Sequence, residues 1–176
     1  GYDHNVRQNA NGVDLNRNFP CGWEGYESFE DVPMAWDFDY KGERPASEPE
    51  TRVLMRAFDE RRYIATVDFH TAHFAWEVAY PCDEELVSRI HADVKRRLKD
   101  RFICHQHGTK RDEYVQVNLD RVIEEERPTL VSYSAMRGTG APILVELSGN
   151  RSGTHAIVRE TEVVVQICLG VIKGAL

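Results

Sequence analysis

The chain has 176 residues, 41% of them hydrophobic, and a formal net charge of −7 from 22 basic and 29 acidic side chains. That length and composition suit a single globular domain with a sizeable core and are too small to favour two. The acidic balance and the lack of any long Lys/Arg run exclude a surface that tracks nucleic acid, and no apolar run of about 18 residues is present to cross a bilayer.

In chain order, residues 7–20, RQNANGVDLNRNFP, form the first informative stretch. Asn11-Gly12 is a turn signal, because glycine accepts positive φ and asparagine tolerates it. Val13 and Leu15 then alternate with Asp14 and Asn16, which predicts a short extended piece that buries the apolar pair. Asn16 and Arg17 emerge side by side. A guanidinium fork and an amide together suit a carboxylate or phosphate, although the same residues also read as an Asn-rich solvated turn.

Residues 21–43 are aromatic and acidic without a sustained period, and read as a long ordered loop. Ser47 and Glu50 stand at capping-box spacing, which predicts a helix from there to about residue 61 with Leu54, Ala57 and Phe58 facing inward. Residues 63–69 are rich in strand formers and end at His70, and residues 74–80 give a second extended run before Pro81. Leu86, Val87, Ile90, Val94 and Leu98 keep helical spacing over residues 84–99, with Lys95, Arg96 and Arg97 on a solvated face. A strand is expected at 102–107 and another at 142–147, with a short helix at 129–136 between them. Thr154 is placed to cap a last helix whose expected inner face is Ile157, Val158, Thr161, Val165, Cys168, Leu169 and Ile172. The order of strands and helices predicts an α/β fold, a mixed and mostly parallel sheet with helices on both faces. Ligands in such folds bind beyond the carboxyl ends of strands, where His70 and Glu146 fall.

Four motifs in sequence, NGVDLNRNFP, Tyr40-x-Gly42-x-x-Pro45-x-Ser47-Glu48-Pro49-Glu50-Thr51, Asp68-Phe69-His70-Thr71 and Tyr80-Pro81, with Glu146 downstream in ILVEL, resemble the zinc carboxypeptidase family of the carboxypeptidase A type. The resemblance runs from about residue 7 to the end and is weakest over 83–140. It implies a zinc metallocarboxypeptidase that cleaves a C-terminal residue by metal-activated water. It makes His70 a zinc ligand, Glu146 the general base, and Arg7 the group that polarises the scissile carbonyl. Asn16 and Arg17 match the pair that grips the substrate's free carboxylate, and Asp14 a carboxylate that orients a zinc-binding imidazole.

Two departures accompany the resemblance. The family's upstream His-x-x-Glu zinc motif occurs nowhere in the chain. Since the chain also opens on GYDHNVR without a start methionine, the expectation is the C-terminal portion of a catalytic domain, spanning residues 1–176, with the remaining zinc ligands in a missing N-terminal part. No tyrosine stands at the spacing of the family's substrate-capping tyrosine; Tyr133 is the nearest candidate, and packing within the 129–136 helix is its competing reading. His105 and His107 would share a strand face as a separate metal pair, but their polar neighbours Gln106, Thr109 and Lys110 read as an exposed edge. The four cysteines, Cys21, Cys82, Cys104 and Cys168, have no CxxC spacing and leave the redox compartment open. Two other functions stay in play: an amidase acting on cell-wall peptides or N-acyl amino acids with the same site, and a metal-free module that only binds carboxylates.

Overall fold

The computed structural model describes residues 6–71, 75–98, 122–123, 127–147 and 154–176. Among these residues, four strands form one sheet in the order β1-β4-β2-β3: β1 (Ala65–Thr71), β2 (Ala75–Ala79), β3 (Val122–Ile123) and β4 (Ala141–Leu147). β1 runs parallel to β4, β2 antiparallel to β4, and β3 parallel to β2, so the sheet is mixed and mostly parallel as expected. The helices are α1 (Pro49–Glu60), α2 (Glu84–Leu98), α3 (Leu130–Met136) and α4 (Thr154–Ala175).

Strand alternation assigns the helices to faces. Ile143 and Val145 of β4 join Leu86, Val87, Ile90 and Val94 of α2 and Ile167 and Val171 of α4 in the main core, whereas Leu144 packs with Val131 and Ala135 of α3. Successive β4 residues thus point to opposite faces, with α2 and α4 on one and α3 on the other. Glu146 shares the parity of Leu144 and belongs to the α3 face. The register pairs Asp68 with Leu144 and His70 with Glu146, so those two β1 residues lie on that face as well.

α2 follows its sequence pattern, with Leu86, Val87, Ile90, Val94 and Leu98 all buried. α4 does not. Val165, Leu169 and Ile172 of the expected inner face are exposed, and Ile167 and Val171 are buried instead. The helix is apolar nearly all round, so spacing alone could not choose a face. Two glycines choose it: a Cβ on Gly170 would stand 2.6 Å from Val94 Cγ2, and one on Gly174 2.6 Å from Ile90 Cα. Their bare Cα atoms let the two helix backbones come together. Thr154, Ile157 and Val158 have side chains outside the described residues, as does the whole expected 102–107 strand with His105 and His107.

Three other expectations change. The extended piece ends at Asp14, because Leu15–Arg17 is a 3-10 turn. α1 begins at Pro49 with Glu48 as its N-cap and without a side-chain cap bond, so the Ser47/Glu50 capping box does not form. On the same helix Leu54 is exposed, while Thr51 is buried and Met55 and Phe58 pack against Phe19 and Tyr133.

Glu48 has a different task. Its buried carboxylate accepts from Asn9 Nδ2, Asn11 Nδ2 and Ser47 Oγ, each at 2.7 Å, and so ties the first turn of the chain to α1. Gly12 closes that turn at φ +74°, where a Cβ would stand 2.6 Å from the Trp36 amide nitrogen. Burial alone would raise the Glu48 carboxyl, but the three hydrogen bonds outweigh it and hold the group below its usual range. A depressed folded-state pKa gives stability that is present above the unfolded pKa and is lost as pH falls through the folded one. Thermal melts should therefore show Glu48→Gln well below wild type at neutral pH, with the gap closing below about pH 4. A gap of constant size across that range would contradict the assignment.

Candidate active site

The segment Leu15–Arg17 is a tight turn because Asp14 caps it, accepting from the Asn16 amide at 3.1 Å. The other Asp14 oxygen meets Arg7 Nη2 at 2.6 Å. Burial pushes the Asp14 carboxyl up, and Arg7, Arg17 and the Asn16 N–H oppose that shift. Arg7 lies over the Phe38 ring, 4.4 Å from its centroid, and stays partly exposed. Among the described residues Asp14 thus faces a guanidinium and not an imidazole.

Arg17 is fixed from two sides. Its Nε donates to Tyr26 Oη at 2.8 Å and its Nη1 to the Asn16 carbonyl at 2.7 Å. Tyr26 in turn donates to Asp39 Oδ2 at 2.9 Å, and Asp39, with no exposed surface, also accepts from Ser28 Oγ and the Phe29 amide. The remaining guanidinium N–H groups have no partner among the described residues. Such an arm is held in place yet keeps donors for a ligand.

Asn16 joins this turn to the sheet. Its Oδ1 accepts from the Leu130 amide at the start of α3 at 2.9 Å, and its Nδ2 lies 3.2 Å from His70 Nε2. The same His70 nitrogen is 2.9 Å from Asp68 Oδ2. The hydrogen bond that His70 donates to Asp68 raises the His70 pKa, burial opposes the rise, the Glu146 carboxylate adds to it, and Arg7 lowers it. Asp68, Glu146 and Arg7 are therefore all within electrostatic reach of one imidazole. A cleft of about 160 Å³ opens here, with Asn16, Glu50, Thr51, Asp68 and His70 as polar lining and Leu15, Phe19, Leu54 and Leu130 as apolar lining.

The structure brings together Arg7, Asp14, Asn16, Arg17, His70 and Glu146 at one end of β1 and β4. It does not bring Tyr133 to the cleft. That side chain is buried on α3, 5.6 Å from the Phe19 ring and edge-on to Phe58 at 6.0 Å, as its packing reading had it. Asp68 was missed, although in a strand it shares a face with His70 two residues on. Tyr26 and Asp39 carried no local signal, since they meet Arg17 only through a folded loop.

A catalytic zinc commonly has three protein ligands and one open position. Among the described residues no three His, Cys, Asp or Glu side chains form a metal-binding group. His70 fits as one ligand: its Nε2 is engaged by Asp68, and its Nδ1 has no partner among the described residues. The described residues thus supply one corner of such a site.

Comparison with known proteins gives the family and the fold. Over 70 residues, 37% of this chain and 29% of the relative, the sequence is 41% identical to murein peptide amidase A of Escherichia coli strain K12. Over 65 residues, 37% of this chain and 16% of the relative, it is 35% identical to gamma-D-glutamyl-L-diamino acid endopeptidase 1 of Lysinibacillus sphaericus. The matched stretch spans less than a third of either relative. The fold is similar to carboxypeptidase A from Helicoverpa armigera, with a TM-score of 0.64 and 17% identity over 93% of this chain and 42% of that one. It is also similar to murein-tripeptide amidase of Escherichia coli O157, with a TM-score of 0.58 and 22% identity over 97% of this chain and 63% of that one. The zinc carboxypeptidase family matches residues 2–149, most of the sequence, and the chain belongs to that family.

Proposed function

We propose that the intact protein hydrolyses the amide bond preceding a C-terminal residue of a peptide, with a zinc ion held by His70 and by ligands outside the described residues. One observation carries this reading: Asp68, His70 and Glu146 share one sheet face beside a cleft, Asn16 reaches His70 from the adjoining Leu15–Arg17 turn, and Arg7 is ion-paired to Asp14, the residue that caps that turn.

In this scheme Arg17 and the Asn16 amide fix the free carboxylate of the substrate, which sets where the scissile bond lies. Arg7, anchored by Asp14 and stacked on Phe38, points positive charge at the carbonyl oxygen as it becomes an oxyanion. Glu146 takes a proton from the attacking water and passes it to the leaving amine. The zinc, when bound, supplies a Lewis acid for water and carbonyl alike. Leu15, Phe19, Leu54 and Leu130 give the cleft an apolar wall beside these charges.

A second reading is that the amide belongs to a cell-wall peptide. The 41% identity to murein peptide amidase A favours it, and the same carboxylate grip serves both substrates. The intact, zinc-loaded protein should be assayed on peptides with an ordinary α-linked C-terminal residue and on peptides with a γ-glutamyl to diamino acid bond. Cleavage of the first alone supports the carboxypeptidase, and cleavage of the second alone supports the amidase. Carboxylate binding without hydrolysis of either, insensitive to chelators, would leave only a binding module.

A further inference from the structure

His70 Nε2 has two neighbours that make opposite demands on it. Asp68 Oδ2, at 2.9 Å, requires an N–H on that nitrogen, whereas Asn16 Nδ2, at 3.2 Å, requires a lone pair. A ring nitrogen carries one or the other. The Asn16 amide cannot settle the conflict by turning over, because its Oδ1 accepts from the Leu130 amide at 2.9 Å and a flip would set two donors against each other. The two contacts are therefore alternatives tied to the two tautomers of a neutral imidazole. Charge-assisted hydrogen bonds are roughly twice as strong as neutral ones, which favours the carboxylate.

We propose that Asp68 is a positioning residue that holds His70 in the Nε2–H tautomer, so that Nδ1 keeps its lone pair for the metal and Asn16 keeps its N–H for the substrate carboxylate. The opposite tautomer does the reverse on both counts. It places a proton on Nδ1, where the metal would bind, and it ties Asn16 to the imidazole. One proton thus couples the metal position to the carboxylate grip, and a metal on Nδ1 releases Asn16 for substrate. This assignment rests on the reading of His70 as a zinc ligand, and it concerns Asp68 rather than Asp14, whose carboxylate is taken by Arg7.

The tautomer can be read without metal. Nitrogen NMR of the metal-free protein with labelled histidine, at about pH 9 so that the ring is neutral, reports which ring nitrogen bears the proton; the His70 signals are assigned by their loss in His70→Gln. Wild type should show Nε2 protonated and Nδ1 bare. Asp68→Ala removes the competing acceptor, so the ring should change to the Nδ1–H form held by Asn16, and Asp68→Asn, whose amide oxygen still accepts, should restore much of the wild-type form. In the intact protein, competition with a chelator should show zinc affinity falling about 10–100-fold in Asp68→Ala and less in Asp68→Asn. A wild-type ring protonated on Nδ1 overturns the proposal, as does an Asp68→Ala protein with unchanged tautomer and unchanged zinc affinity. If wild type shows the Nε2–H form and Asp68→Ala switches it, but no form of the protein binds zinc, the assignment of Asp68 stands and the zinc reading falls.

Discussion

Replacing Glu146 by Gln in the intact, zinc-loaded protein should lower kcat by about 10²–10⁴-fold, the usual contribution of a general acid–base group, while zinc content and product binding stay near wild type. The amide has the size of the carboxylate but no basic oxygen, so it fills the same place on β4 beside Leu144 without accepting a proton. Glu146 lies opposite His70 in the β1/β4 register, and its carboxylate is one of the groups that raise the His70 pKa. Neutralising it should therefore also lower the pH at which His70 titrates in the metal-free protein, which gives a second readout independent of turnover. Turnover within a few-fold of wild type would remove Glu146 from the mechanism.

β1, β2, β4 and α2 were legible because each has a strong local pattern, whereas β3 was not among the expected strands and the expected 102–107 strand lies outside the described residues. In α2 the large apolar residues Leu86, Val87, Ile90, Val94 and Leu98 keep helical spacing against a charged background, and all five are buried. In β4 a continuous apolar run fits a strand covered on both faces, with α3 on one side and α2 and α4 on the other. α4 shows the limit of such reasoning. When most positions are apolar, the face is chosen by close backbone approach at Gly170 and Gly174, and hydrophobic spacing contains no record of that contact.

The site was legible in a different manner. Asn16, Arg17, His70 and Glu146 stood out through the order of short motifs, and the fold draws them together from a turn and two strands. What holds them was not legible. The anchors of Arg17 are Tyr26 and Asp39, nine and more residues away along an irregular loop. Glu48 looked like part of a helix cap and instead secures the turn around Asn9 and Asn11. Support of this kind depends on tertiary hydrogen bonds between residues whose local patterns are unremarkable.

Arg17→Ala should produce the most selective loss. If Arg17 grips the substrate carboxylate, kcat/KM on a peptide with a free C-terminus should fall about 10–150-fold, the equivalent of one hydrogen bond to a charged group at roughly 1.5–3 kcal/mol. The same peptide with a C-terminal carboxamide, already a poor substrate for wild type, should be hydrolysed at nearly the wild-type rate. The ratio between the two substrates is the informative quantity, because a general disturbance of the turn would slow both. Arg17→Lys should recover little of the selectivity. An ammonium keeps the charge, but it lacks the planar fork that lets Arg17 bond Tyr26 and the Asn16 carbonyl while presenting further donors outward. Asp39→Asn extends the argument one step back from the ligand. It weakens the acceptor that fixes Tyr26, leaves the Arg17 charge in place, and should raise KM for the free-carboxylate substrate with a smaller effect on kcat. Equal losses on both substrates in Arg17→Ala would mean that this arginine builds the turn and that the carboxylate is held elsewhere.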